Sequence, residues 1–343
     1  MVFQGMEIHV FTHTDLDGIA SAAIYTKVLK STGRNPDFRI HFTEPHKLAT
    51  SLRKSINPMK PPQVVAIMDL GLNRDSASGV SSILRKLRGL DVSIEWYDHH
   101  VWDPSWISAL SDIGVRLYLD RSTCAAGVVA QSLLRRVGVT DDEVRDCILE
   151  LVDLTCSVDL WSWNHPLSPF VYRIVGTYRG SKGDAFRRLL IEEFGSCRFW
   201  RDDYSDRLQR VVDAELRGFE RVLEKSRSFM LDSNAKAVFV VKSPGPPHTS
   251  LLASYLMSKF SAEAAIIARP DGSISLRSRR INVREIAVCM GGGGHNSASG
   301  ARVEPPLLVR LLGVVLKPVR IWWLKKNIPK AVIECYKEAS HTL

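Results

Sequence analysis

The sequence predicts a two-lobed α/β protein: an N-terminal domain with a parallel sheet, a helical linker, and a smaller α/β domain. Three observations carry this. Short apolar runs alternate with helical patterns through the first half of the chain, as in a parallel sheet wrapped by helices. A long charged stretch of helical period, residues 202–228, follows. A second, shorter α/β alternation comes after it. The boundaries read as 1–200 for the first domain, 201–233 for the linker, 234–304 for the second domain and 305–343 for a basic helical extension.

In the first domain, strands are expected at 7–12, 38–43, 64–68, 92–97 and 115–119, with helices at 19–32, 47–56, 76–87 and 126–137 between and after them. Asn57-Pro58 and Pro61-Pro62 mark the loop before the third strand. Residues 141–158 are helical in pattern, and Asp141-Asp142 suits a helix N-terminus. Ser122 or Thr123 is expected to cap the helix that starts near Ala126. In the second domain, 236–241, 264–268 and 273–277 read as strands and 250–259 as a helix. Asp271-Gly272 is a hairpin signal between the last two strands.

The chain has 343 residues, 45% of them hydrophobic, which is enough for two cores. Its net charge of +9 and sequence pI near 9.3 favour a polyanionic partner, most simply nucleic acid. The six cysteines (124, 147, 156, 197, 289 and 335) show no CxxC pair or regular spacing. They read as reduced, mostly buried thiols of a cytoplasmic protein. No signal peptide is expected from the N-terminal residues. No uncharged apolar run reaches about 18 residues, so no membrane span is expected. The nearest, 307–324, is interrupted by Arg310, Lys317 and Arg320.

The chemistry gathers at element ends. The first apolar strand runs into His13-Thr14-Asp15-Leu16-Asp17-Gly18, with possible metal ligands at alternate positions. The third ends in Asp69, the fourth in Asp98-His99-His100, and a helical segment hands over to a loop at Asp159. Asp153 is the other candidate in that segment, and Asp159 is preferred because an aromatic stretch follows it. Any one of these acids alone is a turn or cap residue. In a parallel sheet, however, the C-terminal strand edges all lie on one side, where ligands bind. Neighbouring carboxylates repel one another unless a cation sits between them. Oxygen ligands mixed with imidazoles suit Mn²⁺ or Mg²⁺ better than a thiolate-seeking metal. Two such ions sharing a carboxylate, roughly 3.5–4 Å apart, stabilise both the attacking and leaving oxygens of a phosphoryl displacement.

These motifs resemble the DHH phosphoesterases, in the subgroup with a DHHA1 domain. His13-Thr-Asp15-Leu-Asp17-Gly18 is similar to the first family motif, Asp69 to the second, Asp98-His99-His100 to the signature that names the family, and Asp159 to the fourth. In the second lobe, Ser275-Leu276-Arg277-Ser278, Asn282-Val283, Gly291 to His295 and Ala298-Ser299-Gly300 resemble the DHHA1 signature. The likeness spans about residues 7 to 303 and leaves out the tail. It implies an active-site cleft between the two lobes and two divalent ions, commonly Mn²⁺ with Mg²⁺ as the alternative. His13, Asp15 and Asp69 would hold one. Asp17, Asp69, His99 and Asp159 would hold the other, with Asp69 bridging. His100 would meet the scissile phosphate or the leaving oxygen, and Asp98 would orient a histidine. His13 stands two residues before Asp15, where many members place four.

In the second lobe, consecutive glycines can form an anion-binding nest of backbone N–H groups. His295 and the basic run Arg277-Ser278-Arg279-Arg280 lie near it in sequence. Arg277, Gly292, Gly293, Gly294 and His295 are therefore the candidate substrate-binding residues, and Arg279 and Arg280 read as solvated surface. Trp161 and Trp163 read as packing residues before base-stacking ones. The function expected is Mn²⁺-dependent phosphodiester hydrolysis on single-stranded DNA, RNA or short oligonucleotides, as an exonuclease. The alternatives are an enzyme of the same chemistry acting on cyclic dinucleotides or a nucleotide bisphosphate such as pAp, and a catalytically silent DNA-replication scaffold of the same family. The extension is expected to pack on the second lobe, with a partner-binding or dimer helix as the alternative; no membrane partner is expected.

Overall fold

The computed structural model describes residues 5–33, 35–178 and 180–341. Met1 to Gln4, part of the segment read for a signal peptide, and Thr342 and Leu343 of the extension lie outside the described residues. The chain divides into two compact units, Met1–Leu208 and Gln209–Leu343.

In the first unit, β1 (Glu7–Thr12), α1 (Leu16–Ser31), β2 (Asp37–Phe42), α2 (Leu48–Ser55), β3 (Val64–Met68), α3 (Arg74–Arg88), β4 (Ser93–Asp98), α4 (Pro104–Asp112) and β5 (Arg116–Leu119) alternate. Then come α5 (Ala125–Val137), α6 (Asp142–Asp159), α7 (Ser168–Val175), α8 (Gly180–Gly195) and the start of α9 (Ser205–Leu223). The sheet order is β2-β1-β3-β4-β5, and every pairing is parallel. The strand order reverses at β1, which pairs with both β2 and β3. That reversal opens a crevice at the carboxyl ends of the two strands, where doubly wound folds bind ligands.

Both faces of this sheet are covered, so β3 is buried at all five positions and reads as one apolar run. The two-residue period of a strand sends neighbours to opposite cores. Ile8, Val10, Ala66 and Met68 face α1, α5 and α6, while Phe11, Val65, Ile67 and Trp96 face α2, α3 and α4. Each fully buried Ile, Leu or Met contributes about 1.5–3 kcal/mol by leaving water.

The second unit holds the rest of α9, then β6 (Arg227–Met230), β7 (Lys236–Val241), α10 (Thr249–Phe260), β8 (Ala264–Ala268) and β9 (Ser273–Ser278). It continues with α11 (Val283–Cys289), β10 (Gly293–Gly294), β11 (Ala298–Arg302), α12 (Leu307–Val315) and α13 (Lys317–His341). Its sheet runs β10-β11-β9-β8-β7-β6, and only β7 and β8 pair in parallel. One face packs on α10, and the other on α11 and α13.

Four expectations change. The first helix starts at Leu16, three residues earlier than its pattern suggests, because Asp15 accepts a hydrogen bond from the Gly18 amide and caps it. Asp17 and Gly18 are therefore helical, not part of a turn. The helix expected over 202–228 stops at Leu223, and Arg227 begins an edge strand that pairs with β7. Charged residues mask a short exposed strand of this kind. The cysteines are not reduced thiols: they form Cys124–Cys156, Cys147–Cys197 and Cys289–Cys335. Partners 32, 50 and 46 residues apart leave no local spacing signal. Finally, the extension packs only in part. Leu324, Ile328, Val332 and Cys335 of α13 enter the second core, while Leu307, Leu308 and Leu311 of α12 are 69%, 70% and 61% exposed. No helix among the described residues is long and apolar enough to cross a membrane.

Candidate metal centre

The carboxyl ends of β1, β3 and β4 and the last residue of α6 bring His13, Asp15, Asp17, Asp69, His99, His100 and Asp159 together. Three overlapping groups each offer ligand atoms within 4.8 Å of one another: His13, Asp15 and Asp69; Asp17, His99 and Asp159; and Asp69, His99 and His100. Asp159 stands in the cluster and Asp153 does not.

At the end of β1, the chain folds back tightly. A Cβ on Gly18 would lie 2.5 Å from the His13 carbonyl oxygen, so glycine is required there. Thr12 Oγ1 donates to the Gly18 carbonyl at 2.6 Å and closes the turn. His13 Nδ1 lies 2.8 Å from Asp15 Oδ2 and 3.4 Å from Asp69 Oδ2. Its other nitrogen, Nε2, lies 3.1 Å from Glu44 Oε2, and Thr14 Oγ1 donates to Glu44 Oε1 at 2.8 Å. Arg187 of α8 donates from Nε to the Thr14 carbonyl at 2.8 Å and holds the same loop.

Asp17 is buried, and its two oxygens accept the first backbone amides of α5, from Ala125 at 2.7 Å and Ala126 at 2.8 Å. A helix N-terminus stabilises such a carboxylate through its unpaired N–H groups. This corrects the expected cap: residue 124, not Ser122 or Thr123, occupies the cap position, and the capping oxygens come from Asp17. His99 is held by a hydrogen bond to the Thr123 backbone, and its Nε2 lies 3.7 Å from Asp17 Oδ2, 3.7 Å from Asp69 Oδ1 and 3.5 Å from Asp159 Oδ2.

Asp69 has a φ of 54°, a left-handed conformation rare for a residue other than glycine. Its amide donates to the Tyr97 carbonyl at 3.0 Å. Its Oδ2 is buried and makes no well-formed hydrogen bond; the His13 ring, with Nδ1 at 3.4 Å, is an ion-pair contact only. An unsatisfied carboxylate oxygen costs several kcal/mol when buried, on the order of 1–3 even for a neutral group. A cation removes that cost, so this donor set fits a divalent ion.

The protonation pattern says the same. Loss of water in the packed cluster raises buried Asp17 and Asp69, and also Asp159 at its more exposed rim, above the usual carboxylate range, and neighbouring acids add to it; Asp159 reaches about 6. Burial lowers the His13 imidazole, but the Asp15 carboxylate and surrounding hydrogen bonds outweigh it and raise it far above its ordinary value. The carboxylates crowd around protons where a metal would supply the charge. His99 is pushed down by burial and by His100, which favours the neutral imidazole a metal takes.

Asp98 and His100 sit at the edge of this cluster. Asp98 is fully buried. A Cβ on Gly71 would lie 2.9 Å from the His100 ring, so Gly71 makes room for it. Burial lowers His100, but the Asp98 hydrogen bond and charge raise it on balance.

The second-lobe candidates lie on the other sheet. Arg277, on β9, donates from Nε to Ser250 Oγ at 3.3 Å, and burial lowers its pKa. The amides of Gly291, Gly292 and His295 are engaged by the carbonyls of Val288, Ala287 and Ala298. Gly293 and Gly294 pair with Gly300 and Ser299 as β10 and β11. A Cβ on Gly292 would lie 2.1 Å from the Gly300 oxygen, so part of the glycine run serves close strand approach. Trp161 and Trp163 pack on each other and on Tyr172.

Sequence reasoning missed Glu44, Gly71, Arg187 and the amides of α5. Glu44 carried the same signal as Asp69, an acid just past a strand, one strand earlier. Gly71, two residues after Asp69, was visible as a small residue beside the site. The other two depend on packing alone.

Fold and site define a class: an α/β protein that gathers carboxylates and imidazoles, a donor set that fits divalent cations, at the switch point of a parallel sheet. Residues 236–317 match the DHHA1 domain family. Over 350 residues, 87% of this chain and 93% of the other, the protein is 21% identical to a 3',5'-cyclic-nucleotide phosphodiesterase of Helicobacter pylori. Its fold is similar to that of the DHH domain of a member of a family of ribosomal proteins, with a TM-score of 0.69, 14% identity, and 99% of this chain and 87% of that chain covered. It is also similar to the exonuclease RecJ bound to manganese, with a TM-score of 0.54, 18% identity, and coverage of 94% and 91%. The second unit carries the DHHA1 match, and the fold as a whole is that of the DHH-domain proteins.

Proposed function

We propose that this protein is a metal-dependent phosphodiesterase that hydrolyses single-stranded DNA or RNA, or short oligonucleotides, from an end. Two divalent cations, Mn²⁺ or Mg²⁺, serve it. The observation that carries this is the position of Asp69. Its Oδ2 faces the His13 and Asp15 group, 3.4 Å from His13 Nδ1, and its Oδ1 faces the Asp17, His99 and Asp159 group, 3.7 Å from His99 Nε2. One carboxylate turned toward two ligand sets is what a bridged pair of ions requires.

His13, Asp15 and Asp69 would hold one cation, and Asp17, Asp69, His99 and Asp159 the other. Bound there, the pair supplies charge neutralisation at the phosphate and an activated water. Asp98 holds Nδ1 of His100, so that Nε2 is presented to the phosphate and passes a proton to the departing oxygen. General acid assistance of this kind contributes about 10²–10⁴-fold. Arg277 and His295 bind the phosphates of the nucleotide chain, and the net charge of +9 favours such a polyanion.

A second reading is favoured by the Helicobacter pylori relative, whose name describes cyclic-nucleotide hydrolysis. A panel of end-labelled single-stranded DNA and RNA of several lengths, cyclic nucleotides, cyclic dinucleotides and pAp, incubated with Mn²⁺, separates the two. The main reading expects stepwise shortening of the oligonucleotides. Turnover restricted to cyclic substrates supports the second reading. Hydrolysis that persists in excess chelator would sink both.

A further inference from the structure

One cystine links all three side chains of the Asp17, His99 and Asp159 group. Cys124 occupies the cap position of α5. The backbone of the residue before it, Thr123, accepts a hydrogen bond from the His99 ring. The two residues after it, Ala125 and Ala126, give their amides to Asp17. Cys156, its partner, lies one helical turn before Asp159 at the end of α6. Thr123 Oγ1 touches Cys156 Sγ at 3.4 Å and packs over Gly127, where a Cβ would lie only 2.0 Å from that oxygen.

We propose that the Cys124–Cys156 disulfide is a positioning element of this metal subsite. It ties the amides that orient Asp17 and the carbonyl that orients His99 to the helix turn that carries Asp159. Without it, the two halves of the subsite sit on separate helices, α5 and α6, held by side-chain packing alone. Groups that orient metal ligands typically change metal affinity by about 10–100-fold when lost. The other subsite is built on the β1 loop and Glu44, and its hydrogen bonds and ion pairs run to Asp15, Asp69, Thr14 and Arg187. The inference rests on the two-cation reading above and deepens it.

The test is Mn²⁺ titration calorimetry on the full chain in three forms: oxidised wild type, Cys124→Ala/Cys156→Ala, and Cys147→Ala/Cys197→Ala. The last removes a second bridge from the same helix, with Cys147 nine residues before Cys156. It therefore reports what losing a bridge does in general. Reduction of folded wild type gives an independent arm. A water-soluble phosphine cleaves the S–S bond and water protonates both sulfurs, while the phosphine leaves as its oxide; alkylation and mass spectrometry identify the opened pair. The expected result is two Mn²⁺ steps in wild type and in the Cys147/Cys197 variant, and one step weakened at least 10-fold when Cys124–Cys156 is absent or opened. Two unchanged steps in the Cys124/Cys156 variant and in protein opened at that bridge overturn the inference and leave the metal reading standing. Wild type that binds no Mn²⁺ overturns both.

Discussion

Asp98 Oδ1 lies 2.8 Å from His100 Nδ1, deep in the carboxyl edge of the parallel sheet. Trp102 Nε1 donates to the second Asp98 oxygen at 2.6 Å, and the His100 amide lies 3.4 Å from it. A carboxylate fixed at both oxygens sets the tautomer and direction of the imidazole beside it.

Asp98→Asn keeps the volume and loses the charge. It is expected to lower kcat about 10²–10⁴-fold, the span of general acid catalysis. Mn²⁺ affinity should stay within a few-fold of wild type. Steady-state kinetics beside a Mn²⁺ titration checks this, and an unchanged kcat would remove His100 from the chemistry.

Glu44→Gln weakens the hold on His13 Nε2. Loss of such an orienting group is expected to weaken one Mn²⁺ step about 10–100-fold. The same titration reads it. Equal weakening of both steps would mean that Glu44 acts on the fold and not on His13.

The raised carboxylates predict a pH dependence of opposite sign to ordinary acid denaturation. Asp159 has an ordinary value of 3.8 and reaches about 6 in the folded chain, so between those values the folded state binds the extra proton. Its contribution to stability is present in full below 3.8 and is lost as pH rises through about 6. In chelator, Asp159→Asn should therefore gain melting temperature relative to wild type as pH rises from about 4 to 7. Mn²⁺ should reverse the order at pH 7, because only wild type keeps the full ligand set. Parallel melting curves in chelator would contradict the assignment.

Stability of the second lobe is expected to depend on α13 and not on α12. Ile328 is fully buried, and Ile328→Ala should cost about 2–5 kcal/mol in urea unfolding. Leu308 is 70% exposed, and Leu308→Ala should stay within about 0.5 kcal/mol. Equal costs at the two positions would place α12 in the core.

The sheet strands were legible because their apolar runs are uninterrupted: β1, β3, β7 and β8 fall where the pattern puts them. The gathering of acids was legible because a parallel sheet aligns its carboxyl edges. What stayed hidden depends on partners distant in sequence. Asp17 binds amides 108 and 109 residues away. The cysteines pair across 32 to 50 residues. β6 hid because Arg227 and Ser228 on an exposed edge strand look like the end of a charged helix. The early start of α1 hid because a capping Asp15 and a candidate ligand Asp15 are the same residue type.

Electron paramagnetic resonance of Mn²⁺-loaded protein reads whether Asp69 joins two cations. The prediction is two ions per chain with the exchange-coupled spectrum of a pair roughly 3.5–4 Å apart. Asp69→Ala should lose that coupling together with hydrolysis. A six-line signal from isolated Mn²⁺ in wild type at saturation, or a coupled pair that survives Asp69→Ala, would contradict it.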